Sequence, residues 1–207
     1  PDAFHDADTW KSLDSPPPES EIRQVRDLYD AEVARVDSAL GNLFAFLEEK
    51  GLMDDTLIII TADHGEEFFD HGGFEHGHTH FDEMIHTPLI VRGPGFPNDT
   101  RTDICTANLD IVPTILDYLV MDIPSGLPGI PLQDIAGGEV GNDRIIFGEG
   151  NNRGTHRKYA VRWPYKCILD FVDGDVHLFN LEEDPGETTD ISLSLIHISE
   201  PTRLRRI

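Results

Sequence analysis

The chain has 207 residues, enough for one good hydrophobic core or for a main domain with a small appendage. Its 39 acidic residues against 16 basic ones give a formal charge of −23, a surface that repels phosphate backbones and anionic lipid and argues against a nucleic-acid partner. No apolar run approaches the length of a membrane span, so membrane insertion is not expected, and two cysteines make no disulfide framework. Lysine occurs only at positions 11, 50, 158 and 166. Such an Asp-rich, Lys-poor surface fits a high-salt cytoplasm and an ordinary acidic protein equally well.

Residues 1–19 are polar, carry Pro16-Pro17-Pro18, and read as a linker or surface excursion. A helix is predicted from Ser20 as N-cap to Gly51 as C-cap. Its apolar positions Ile22, Val25, Tyr29, Val33, Val36, Leu40, Leu43 and Leu47 step by three or four and predict one buried stripe. The β-branched run Thr56 to Thr61 then predicts a strand buried on both faces, the habit of a central parallel strand.

At the carboxyl end of that run stands Ala62-Asp63-His64-Gly65-Glu66-Glu67, where open α/β sheets place their ligands. Asp63 and His64 side by side can both reach a cation, and Gly65 lets the backbone turn behind them. Six of the ten histidines follow one another closely: His64, His71, His76, His78, His80 and His86. His71 sits in a turn-like Asp70-His71-Gly72-Gly73, and His80 and His86 read as structural. Pro88 to Arg92 predicts a second buried strand, closed by Gly93-Pro94-Gly95. A helix is expected over Asp110 to Val120 with Pro113 in its first turn, then a loop from Gly126 to Gly138. Past residue 144 come four short strands with a hairpin turn at Asp173-Gly174, a small antiparallel sheet.

These segments carry a resemblance. The stretch from Thr56 through Gly73, continuing through His76 to Gly95, resembles the downstream half of the sulfatase family, within the alkaline-phosphatase-like superfamily. Leu28 to Asp37, Asp110-Ile111-Val112-Pro113-Thr114-Ile115-Leu116-Asp117 and Leu178 to Asp190 are similar to further ordered family segments, so that residues 20–190 are covered. The resemblance implies an α/β fold, part of a mixed, largely parallel sheet flanked by helices, with a small C-terminal antiparallel sheet subdomain. The implied division is a partial catalytic domain over 20–143, a subdomain over 144–190 and a tail over 191–207.

It also implies a sulfuric ester hydrolase acting on a sulfated small molecule or carbohydrate. Asp63 and His64 are the expected metal ligands, most simply for Ca²⁺, with Mn²⁺ or Zn²⁺ as alternatives. The family typically contacts sulfate with a Lys about a dozen positions after the Asp-His pair. Here His76 lies 12 residues after His64 and His78 two further, so one of them is expected to take that catalytic role. Neither cysteine supplies the family nucleophile, a formylglycine from C/S-x-P/A-x-R: Cys105-Thr106-Ala107-Asn108-Leu109 lacks the Arg and Cys167 fails throughout. With Pro1 as first residue and no strand-Gly-helix opening, the sequence reads as a fragment whose nucleophile half is absent. A zinc-dependent phosphatase or phosphodiesterase of the same superfamily, or an inactive metal-binding fragment, are the alternatives. Leu193 to Arg203 resembles a translated sequencing adaptor, and the tail is set aside from the fold.

Overall fold

The computed structural model describes residues 16–150 and 156–195; residues 1–15 and 196–207, with most of the expected linker and tail, lie outside them. Helix α1 spans Glu19–Glu49, starting two residues earlier than the Ser20 cap predicts, because the Pro18 carbonyl accepts the Glu21 and Ile22 amides. Its end is as the sequence predicts. Gly51 adopts φ 66°, the Gly51 amide bonds to Glu48 O and the Leu52 amide to Leu47 O, a Schellman closure that needs glycine at the left-handed position.

The stripe along α1 does not come out as expected. Ile22 alone is buried, while Tyr29, Val33, Val36 and Leu43 stay exposed. The helix touches the rest of the described chain at few places: Tyr29 meets Phe68 edge-on at 5.3 Å and Arg26 pairs with Asp70 at 2.7 Å. Periodicity reported which face is apolar, but it is covered only in part. Val25, Leu40 and Leu47 are half-buried, Leu40 and Phe44 sharing a pocket with Ile58, Ile60 and Ile90, while the middle of the stripe stays open among the described residues.

Strand β1 (Ile58–Thr61) is half-buried on both sides. It pairs antiparallel with β4 (Leu89–Arg92), Ile59 opposite Val91, in a two-stranded sheet. Among the described residues it has no parallel neighbour, and Ile90 is exposed where a buried strand was expected. Between the two strands lie a short ribbon, β2 (Glu67–Phe68) with β3 (Phe74–Glu75), and the single-turn helix α2 (Asp82–Ile85). Helix α3 (Ile111–Tyr118) follows a 3₁₀ turn, and the expected loop beyond it contains a further short helix, α4 (Leu132–Ala136).

The α3 region is held by two buried residues. Asp110 Oδ1 and Oδ2 accept Arg144 at 2.5 and 2.7 Å, and also take the amides of Ile130 and Ala107. Thr114 Oγ1 donates to Asp110 O and accepts the Leu132 amide, which fixes α4. The Asp-x-x-Pro-Thr segment is thus a set of satisfied buried polar groups.

The C-terminal sheet follows the sequence closely: β5 (Ile146–Gly150), β6 (Arg157–Arg162), β7 (Tyr165–Asp170) and β8 (Val176–Asn180), antiparallel in chain order. Val161, Ile168, Phe179 and Leu181 form its core, with Phe81 and Ile85 packed against them. Those last two belong to the segment around α2, so the core of the small sheet also fixes the loop carrying the histidines. A final turn, α5 (Ser192–Leu195), sits beside β8 after the Ile191 amide bonds to Leu178 O.

Candidate active site

Asp63 and His64 leave β1 into an open cleft of about 1560 Å³ that they line together with His76 and His80. Asp63 Oδ1 accepts the His64 amide at 3.1 Å, while Oδ2 lies 3.8 Å from His64 Nε2. His64 Nδ1 is 2.8 Å from Gly65 O; a carbonyl only accepts, so Nδ1 carries the proton. With Nδ1 so engaged, Nε2 is the nitrogen left to face a cation, and it lies beside a carboxylate oxygen, the arrangement a shared cation requires. The Asp63 side chain is 91% exposed and that of His64 42%, so both can be reached from the cleft.

Gly65 is required here for closeness rather than for a turn. Its amide bonds to Met84 O at 2.8 Å, and a Cβ at Gly65 would fall 1.9 Å from Glu83 O. The strand end thereby abuts α2.

The structure separates the two histidines expected to meet the anion. His76 stands against His64, ring centroids 4.2 Å apart, with Nδ1 3.1 Å from Glu66 Oε1. His78 turns inward instead, its Nε2 2.7 Å from Glu67 Oε2. Glu67 is 1% exposed and its other oxygen accepts the amides of His71 and Gly73 at 3.0 and 2.6 Å. Burial pushes the Glu67 carboxyl up, but the bonds from His78, Gly73 and His71 outweigh it and hold the group below its ordinary value. A Cβ at Gly73 would lie 2.2 Å from His78 Nε2, so the second glycine of the pair makes room for that ring.

His71 is a joint as well as a turn. It stacks on Phe81 at 3.6 Å and reaches Glu83 Oε1 at 2.6 Å with Nδ1 and Gly186 O at 3.2 Å with Nε2. Both partners only accept, so the ring binds them as imidazolium. Burial works against that charge, but Glu83 and Glu187 prevail and raise the pKa. His86 lies exposed at the surface, 3.5 Å from Asp82, whose hydrogen bond raises it.

Several residues that organise the site carry no local sequence signal. Lys166 is fully buried, its Nζ 2.9 Å from Asp82 Oδ1 and 2.8 Å from Glu187 Oε1. Glu187 Oε2 accepts the Asp82 amide at 2.6 Å. Arg157 donates to His78 O and to Asp170 Oδ2. Of these only Glu187 was within reach of sequence reasoning, as the acid after Asp184-Pro185-Gly186. Arg92 donates to Met53 O at 2.6 Å and lies 3.7 Å from Asp54 Oδ1.

Comparison with known proteins bears on this arrangement. The sulfatase family profile matches residues 2–121, and that of the N-sulphoglucosamine sulphohydrolase C-terminal region matches residues 69–197. The chain belongs to the sulfatase family. Arylsulfatase K of Mus musculus is 28% identical over 193 residues, covering 87% of this chain and 35% of the relative. Arylsulfatase K of Danio rerio is 30% identical over 184 residues, covering 84% and 35%. The chain thus spans about a third of the length of these relatives.

Among solved structures, the phosphonate monoester hydrolase of Silicibacter pomeroyi superposes with TM-score 0.76 at 28% identity, over 92% of this chain and 41% of that one. A protein solved with its substrate D-glucosamine-2-N,6-O-disulfate superposes with TM-score 0.72 at 23% identity, over 80% and 36%. The α/β fold with its small antiparallel C-terminal sheet is therefore that of the sulfatase family's alkaline-phosphatase-like superfamily. Among the described residues no three His, Cys, Asp or Glu side chains converge as a metal cluster; Asp63 and His64 are a pair. One carboxylate oxygen and one imidazole lone pair fit part of the shell of a divalent ion, whose other ligands must come from outside this set.

Proposed function

We propose that this chain forms one wall of the active site of a metal-dependent sulfuric ester hydrolase, contributing two ligands to a divalent cation and one cationic donor to the sulfate group. The observation that carries the reading is the Asp63–His64 pair, 3.8 Å apart, with Nδ1 of His64 held by Gly65 O and the His76 ring tilted against it at 4.2 Å. A cation held there would polarise sulfate oxygens and the attacking nucleophile. His76, its Nδ1–H taken by Glu66, serves as an imidazolium that offers Nε2–H to a sulfate oxygen. His78 positions that donor through the chain rather than by contact, because Glu67 holds its ring away from the cleft. The nucleophile is expected from residues outside this set, since neither Cys105 nor Cys167 heads a C-x-P/A-x-R motif and the one serine match, Ser199-Glu200-Pro201-Thr202-Arg203, falls in the adaptor-like tail.

Ca²⁺ is the ion we propose; the carboxylate favours it, and the imidazole leaves room for Mn²⁺ or Zn²⁺. Calorimetric titration of the chain with each ion tests this. Asp63→Ala is expected to abolish binding, and undiminished affinity in that variant would overturn the assignment. Joined to an upstream half that carries a formylglycine, the chain is expected to hydrolyse an aryl sulfate, whereas alone it turns over none. The likeness to a phosphonate monoester hydrolase favours one competing reading, zinc-dependent hydrolysis of phosphorus esters. Faster turnover of a phosphodiester than of any sulfate ester, dependent on zinc, would establish that instead.

A further inference from the structure

His80 is the one histidine of the cluster that neither an ion pair nor a turn explains. It is only 8% exposed, and its Nδ1 is buried with no hydrogen-bond partner among the described residues. Burial, with the nearby charges of Arg157 and Lys166, pushes its pKa down, so the ring is neutral. A buried polar atom without a partner is rare in a folded chain and carries its full desolvation cost. The ring nevertheless lines the same cleft as Asp63, His64 and His76.

The wall around it is closely fitted to two rings. On strand β5, Gly148 and Gly150 occupy alternate positions of the face turned toward His80 and Tyr159. A Cβ at Gly148 would come 2.6 Å from the Tyr159 ring, and one at Gly150 would come 3.0 Å from His80 Nε2 and 3.2 Å from Cε1. Any other residue at either place would displace these rings. The Tyr159 ring lies 5.3 Å from that of His80, and Trp163 and Phe96 line the same cleft.

The charges narrow the ligand. The two cations that act on His80 are already engaged, Lys166 by Asp82 and Glu187, Arg157 by Asp170 and the His78 carbonyl. This part of the wall therefore offers aromatic faces and a neutral imidazole rather than a counter-charge. The χ2 torsion of histidine is soft and two-fold, so the ring can exchange the places of Nδ1 and Cδ2 by a half-turn. Whichever nitrogen carries the proton, a hydroxyl satisfies it, because a hydroxyl both donates and accepts.

We propose that His80, backed by Tyr159, is the leaving-group subsite of the cleft, taking a hydroxyl of an uncharged sugar ring. The proposal rests on the reading of Asp63, His64 and His76 as the sulfate end of the same site. An ester has two ends, and the aromatic, neutral wall suits the alcohol as the charged end suits the sulfate.

The test uses the full chain labelled with ¹⁵N-histidine. Titration with an unsulfated methyl hexoside is expected to move the ring nitrogens of His80 saturably. His80→Phe is expected to weaken hexoside binding about fivefold or more, the value of one lost hydrogen bond. His80→Gln, which keeps a donor and an acceptor, restores most of it. Calcium-dependent binding of inorganic sulfate should be the same in wild type and both variants. His80 resonances that stay in place up to the solubility of the hexoside overturn the subsite, as does an unweakened His80→Phe variant. Should His80→Phe fail to fold, the wild-type titration decides alone. A hexoside that still moves His80 in a chain with no calcium-dependent sulfate binding would overturn the metal-site reading and leave the subsite standing.

Discussion

At the scale of single residues, His71 and His80 make opposite demands on pH. His71 has a raised pKa, so it favours the fold in its charged form. That contribution is complete below the free value of about 6.5 and fades as pH rises through the higher folded value. His80 has a lowered pKa and favours the fold when neutral. Its contribution is present above about 6.5 and fades as pH falls through the lower folded value. His71→Gln should therefore lose most stability relative to wild type on the acid side, and His80→Leu should flatten the acid limb; thermal melts from pH 5 to 9 check both. At the sulfate end, His76→Ala is expected to weaken anion binding roughly 10- to 100-fold, the worth of a charge-assisted bond, while His76→Lys retains it. An unaffected His76→Ala variant would remove His76 from the site. The Asp63–His64 pair was legible in the sequence because a strand end and two adjacent side chains are local features. Lys166 was not, since its partners Asp82 and Glu187 lie far from it in sequence and only the folded sheet brings them together.

At the scale of elements, capping and turn residues located α1 to within two residues and placed four antiparallel strands past residue 144, because such residues mark element ends. Burial was less legible. The apolar stripe of α1 states what the helix can pack against, not whether a partner lies there. In the site loop the sequence read Gly72-Gly73 as a turn, and the turn is real, with Gly72 at φ 89° and the Phe69 amide on Gly73 O. What periodicity could not say is that Gly73 also yields space to the His78 ring. Gly73→Ala should push His78 off Glu67 and leave that buried carboxylate short of a donor, a cost of about 1–3 kcal/mol or more in urea unfolding. In α3, Thr114→Val removes a hydroxyl that donates to Asp110 O and accepts from Leu132 N. The stranded amide should cost about 1–3 kcal/mol, with loosening seen as faster amide exchange in α4.

At the scale of the whole molecule, a charge of −23 on 207 residues means self-repulsion that dissolved salt screens. The melting temperature should climb as KCl rises from millimolar to molar. A continued rise beyond physiological ionic strength would support the high-salt reading of the composition, and a plateau there the ordinary acidic one. We also propose that residues 193–207 have no evolved place in the fold. Their deletion should leave the melting temperature within about two degrees, since each kcal/mol shifts it by a few degrees. A larger loss would make the tail part of the domain.

The knot of Asp82, Lys166 and Glu187 has a consequence for how the molecule comes into being. The Asp82 amide waits for an oxygen supplied 105 residues later. At a synthesis rate of about 5–20 residues per second, that interval lasts roughly 5–20 seconds on the ribosome. Through it the histidine loop lacks both its buried counter-charge and the sheet whose core clasps Phe81 and Ile85. The cleft is therefore a late product of translation. A nascent chain halted before β7 would carry the Asp-His pair in its sequence and no site in its structure.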